Sequence, residues 1–119
     1  MIFIVASCSR GDKEITVEMA AKGGLIFNSV GCTRCHSLSG NSMYGPALNF
    51  RLGQEITVVR KGKMKNIEYN REYILRSMKD PDYEKLSGFE KKKMARIELP
   101  ADAIESIADY LIFINSRQK

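Results

Sequence analysis

The chain has 119 residues, a length that favours one domain with a modest core. Apolar residues make up 44% of it and charged residues 28%, a balance that excludes wholesale disorder. The formal net charge is +5, but the basic residues are spread along the chain with no nucleic-acid-binding motif beside them, so they read as a solvated surface with room for one docking patch.

Taken in chain order, Met1 to Ser9 is too short to span a bilayer, which needs about 20 apolar residues. Val5-Ala6-Ser7-Cys8 resembles the lipobox of bacterial lipoproteins, in which small residues precede a cysteine that takes diacylglycerol and becomes the mature N-terminus. No Lys or Arg precedes the apolar run, and the run is shorter than a complete signal core. The competing reading is a short strand at Ile2 to Val5 with Cys8 a spare thiol. On the lipoprotein reading, residues 1–7 are a truncated signal segment, 8–16 a polar linker and 17–119 the folded domain. Acyl chains on Cys8 would then tether the protein without a membrane span.

Val17 to Val30 reads as a first helix, with Met19, Leu25, Ile26 and Phe27 as its apolar positions. Gly23-Gly24 in its middle costs about 1 kcal/mol per residue relative to Ala, a cost that close approach of another helix would justify. A loop rich in Ser, Gly and Asn follows from Ser37 to Leu52. Glu55 to Arg60 and Met64 to Tyr69 suit a small edge hairpin turning at Lys61-Gly62. Asn70 suits the N-cap of a short helix, Arg71 to Lys79, with Ile74, Leu75 and Met78 on one face and Asp80-Pro81 as its stop. Asp82 to Glu98 is basic and irregular, with a Lys91-Lys92-Lys93 run before Met94. Pro100 opens the last helix, whose stripe is Ile104, Ile107, Ala108, Leu111 and Ile114.

The chemistry lies in Cys32-Thr33-Arg34-Cys35-His36. Two thiols two residues apart at a helical turn can both reach the vinyl groups on one edge of a porphyrin, while the adjacent imidazole is carried beneath the ring with Nε2 toward iron. The chain has no Trp and only 8% aromatic residues, so its core would gain from burying a large flat apolar cofactor. Structural zinc would need four ligands, and no second Cys or His pair accompanies this one. A thioredoxin-like dithiol would follow a strand, whereas here a helix precedes it.

With those residues in view, the chain from about Ala20 to Ile114 resembles a class I c-type cytochrome. The nearest pattern is the C-terminal haem domain of bacterial cytochrome c oxidase subunit II. The resemblance rests on Gly23 and Phe27 ahead of GCTRCH, GPAL at Gly45 to Leu48, Gly53, EYILRSMKDPDY at Glu72 to Tyr83, Gly88-Phe89 before Met94, and DYL in the final helix. It implies a mostly α fold, three to five helices wrapped around one covalently bound haem c, with a small β-hairpin insertion. It also implies thioethers at Cys32 and Cys35, His36 and Met94 as axial ligands, and a Pro46 carbonyl accepting from the imidazole. Gly23 would let the first and last helices cross closely, with Phe27 and Tyr110 packing at the crossing and both contacting the haem. The family usually has proline after the methionine ligand, where this chain has Ala95. Met78 and a vacant sixth site remain as alternatives to Met94.

The expected function is electron transfer in a respiratory chain, without enzymatic activity, through a His/Met-ligated haem. The expected partners are redox proteins such as a terminal oxidase, docked in part through the lysine run. The expected location is exported, on the bacterial periplasmic side, with a lipid anchor at Cys8. The alternatives are a haem-based sensor or gas-binding module with an open sixth site, and an electron-transfer subunit of a larger oxidase or dehydrogenase.

Overall fold

A computed structural model of the chain describes residues 14–41 and 43–116, so the signal segment, Cys8 and most of the linker lie outside the described residues. The order of elements is α1 (Val17–Ser29), a 3₁₀ turn (Cys32–Arg34), β1 (Glu55–Arg60), β2 (Lys63–Glu68), α2 (Arg71–Lys79), β3 (Lys85–Leu86) and α3 (Ala101–Ser116).

α1 begins where Thr16 can cap it. The Thr16 hydroxyl accepts the Met19 N–H at 3.1 Å, and Glu18 sits in the first turn, where the helix dipole favours an acid. The buried face is Ala20, Gly23, Gly24 and Phe27, a stripe at i, i+3, i+4 and i+7 made mostly of small residues. Leu25, expected inside, is one residue off that stripe and is 70% exposed; Met19 and Ile26 are half-buried.

The small stripe exists because α3 lies against it. A Cβ on Gly23 would fall 1.8 Å from the Ser106 carbonyl oxygen, and one on Gly24 would fall 2.8 Å from the Tyr110 ring. The helices therefore touch backbone to backbone, and the Phe27 and Tyr110 rings pack beside the contact with centroids 5.4 Å apart. On α3, Ile104, Ile107, Ala108 and Leu111 are buried as the periodicity predicts, while Ile114 is half-buried. Asn115, also buried, donates to the Leu48 carbonyl at 2.9 Å and ties the end of α3 to the loop after the 3₁₀ turn.

The sheet has three antiparallel strands in the order β2-β1-β3, so β1 is central and only β2 carries the edge expected of the hairpin. β3 was not predicted. It pairs Leu86 with Val58 and Lys85 with Val59, and Glu84 fixes its position. The Glu84 carboxylate, 2% exposed, accepts from Arg60 of β1 and from Arg76 of α2, each at 2.7 Å. Both guanidiniums also lie over the Tyr83 ring, at 4.8 and 4.9 Å. α2 has the predicted bounds, with the Asn70 side chain accepting the Tyr73 N–H at 2.9 Å.

Replacing Gly23 by Ala forces a methyl into the Ser106 carbonyl, which is backbone and cannot rotate away. The expected result is a loss on the order of 3 kcal/mol, the upper end for overpacking, read as a lower urea midpoint.

Candidate cofactor-binding cavity

An apolar cavity of about 310 Å³ opens beside the α1–α3 crossing, a size typical of small-molecule and cofactor sites. Phe27 of α1 and Ile107 and Leu111 of α3 form its floor. Tyr69 and the inner face of α2, with Tyr73, Ile74 and Met78, line a further side. Loop residues from Tyr44 to Phe50 and from Leu86 to Ile97 complete the lining.

Cys32, Cys35 and His36 all reach this cavity from one tight turn. The Cys32 carbonyl accepts the Cys35 N–H at 3.3 Å and the His36 N–H at 3.1 Å, which keeps the three side chains at the spacing of a single helical turn. The loop that follows folds back on the turn, with the Gly45 N–H donating to the Cys35 carbonyl at 2.8 Å.

His36 is held from behind. Its Nδ1 lies 2.7 Å from the Pro46 carbonyl oxygen. A carbonyl can only accept, so Nδ1 carries the proton and the Nε2 lone pair is left for a metal or another donor. Gly45 makes the arrangement possible, since a Cβ there would lie 2.7 Å from His36 Cε1 and 3.0 Å from Nδ1.

Burial pushes the Cys32 thiol up from its ordinary pKa, opposed by a backbone hydrogen bond. Reactive dithiols have the opposite shift, toward thiolate. The thiols and imidazole do not converge either: among the described residues, no group of three or more His, Cys, Asp or Glu gathers as a metal site of the zinc type would require. Burial raises the Tyr69 and Tyr73 phenols as well, so both stay protonated at neutral pH.

Of the residues singled out in the sequence, Cys32, Cys35, His36, Pro46, Phe27 and Met94 line the cavity together, and so does Met78. Tyr110 does not; it packs at the helix crossing against Gly24 and Phe27. The lysine run is partly engaged: Lys92 Nζ lies 4.7 Å from the Tyr44 ring centroid, and Lys93 Nζ is 3.6 Å from Asp82. Tyr44 and Glu84 also line the cavity without any local pattern having marked them, as do Tyr69 at the end of the hairpin and Tyr73 in the short helix, neither of which the sequence assigned to a site. No described helix is long and apolar enough to cross a membrane.

No protein-family model matches the chain, and no curated protein matches it. Among solved structures, a cytochrome c from Rhodothermus marinus is similar to it with a TM-score of 0.60 and 22% identity, over 98% of this chain and 92% of that one. The chain has a cytochrome c-like fold.

Gly45→Ala is expected to push the imidazole off the Pro46 carbonyl. In proton NMR of His36, the downfield Nδ1–H resonance of the parent should be lost in the variant.

Proposed function

We propose that the chain is a single-haem c-type cytochrome that carries electrons, with haem c attached through Cys32 and Cys35. The observation that carries this reading is that two cysteines and an oriented imidazole leave one turn together and line one apolar cavity in a cytochrome c-like fold.

The residues present fit a covalently attached haem. The thiols stand at the spacing thioether attachment needs, the imidazole keeps Nε2 free, and the walls are apolar. Bound there, the haem supplies a one-electron couple in which no bond to a substrate is made or broken. Pro46 holds the His36 proton on Nδ1 and so keeps Nε2 a good donor. Phe27, Ile107, Leu111 and Ile74 exclude water and disfavour added positive charge, which raises the potential. Glu84 brings a carboxylate to the wall, but Arg60 and Arg76 already balance it.

Met94 is the proposed sixth ligand. Met78 lines the same cavity, yet it is 6% exposed within the core cluster and is held on the regular face of α2. Met94 lies in an irregular segment that can adjust its reach. The remaining parts of the proposal follow from the sequence: export, a lipid tether at Cys8, and docking on a respiratory partner aided by the lysine run beside the cavity.

Spectra of protein matured with a c-type haem assembly system test this reading. The oxidised parent should show the weak far-red band of sulfur-to-iron charge transfer, and its reduced form should not bind carbon monoxide readily. Met94→Leu should abolish the band and lower the potential. Met78→Leu should keep it, with a stability change below about 1.5 kcal/mol because the swap conserves volume. Ready carbon monoxide binding by the parent would favour a gas-binding module instead.

A further inference from the structure

Tyr44 stands at the rim of the cavity, 48% exposed, two residues before the proline that orients the imidazole. Its neighbours root it on the histidine side: the Gly45 N–H donates to the Cys35 carbonyl at 2.8 Å, and the Pro46 carbonyl accepts from His36 Nδ1 at 2.7 Å. Its own side chain points the other way along the chain. The Tyr44 hydroxyl accepts the backbone N–H of Lys93 at 3.0 Å, and Lys92 Nζ lies 4.7 Å from the ring centroid.

Lys93 immediately precedes Met94. On the other side of Met94, the next backbone anchor is the Ile97 N–H, which donates to the Met78 carbonyl at 3.1 Å. The segment carrying Met94 is thus hung between two hydrogen bonds, one to the core helix α2 and one to an exposed phenol. The chain also lacks the proline that would stiffen this segment, having Ala95 there.

The geometry points to Tyr44 as a positioning residue: a strap that ties the Met94 segment to the histidine-bearing loop and sets how often the sixth position opens. This rests on the reading of Met94 as an axial ligand. The strap acts through the backbone of Lys93, so the phenol need not touch the iron or the sulfur. An outside ligand binds only when Met94 has let go, and its apparent affinity scales with the open fraction. Removing the hydroxyl deletes one neutral hydrogen bond from the closed state alone, because in the open state both groups find water.

The test is imidazole binding to the oxidised holoprotein, parent against Tyr44→Phe. The variant keeps the ring and its contact with Lys92, and it loses only the acceptor. Its apparent imidazole affinity should rise on the order of fivefold, the effect of one net hydrogen bond on the open population. Hydrogen exchange at the Lys93 amide should quicken, and the global unfolding midpoint should fall only slightly, by no more than the loss of one net hydrogen bond accounts for. Tyr44→Ala should open the site further. Met94→Leu is the control for the underlying reading. If the far-red band is missing in the parent or survives in Met94→Leu, the ligand assignment fails and the strap falls with it. If the band behaves as expected but Tyr44→Phe binds imidazole like the parent and protects Lys93 equally, the strap alone is overturned.

Discussion

Two helices that meet backbone on backbone leave no room for side chains between them, and the α1–α3 contact at Gly23 is of that kind. The contact fixes where α1 ends relative to the apolar stripe of α3. Phe27 is thereby placed next to Ile107 and Leu111, and the three become the floor of the cavity. The chain leaves α1 at that point and turns at once through Cys32 to Arg34, so Cys32, Cys35 and His36 are delivered to the cavity by the same crossing. A larger residue at Gly23 would therefore move the site as well as loosen the core.

Around this frame, acidic groups are paired with arginines. Glu84 is shared between two arginines, and Arg71 of α2 holds Glu105 and the buried Asp109 of α3. Buried pairs of this sort add little net stability but fix which elements dock where. Here they join β1 to α2 and α2 to α3, the joints that hold the tyrosine-lined side of the cavity in place. The imidazole of His36 lines this apolar space, and its Nδ1 is already satisfied by the Pro46 carbonyl.

Much of this was legible because it is written locally. The Asn70 cap, the β-branched run from Ile56 to Val59, the Gly23-Gly24 pair and the CxxCH spacing each act over a few residues, and each appears where the sequence places it. What the sequence hid depends on partners far along the chain. β3 has two residues and no pattern of its own; it pairs with β1 beside the ion pair between Glu84 and Arg60, 24 positions earlier. Leu25 faces outward because the small stripe, not the large residues, meets α3. Tyr110 belongs to the crossing rather than the cavity wall, a distinction that helical periodicity cannot make. The Tyr44 contact with Lys93 spans 49 positions, and the two methionines that line the cavity come from separate segments.

The account stands on covalent attachment at the two cysteines of one turn. The most direct measurement is the mass of the proteolytic peptide spanning residues 29–41, taken from exported, fully matured protein after extraction with acidified acetone. The account predicts a coloured peptide heavier by one haem, with no free thiol at Cys32 or Cys35. A colourless peptide of unmodified mass, its two thiols open to alkylation, would contradict it.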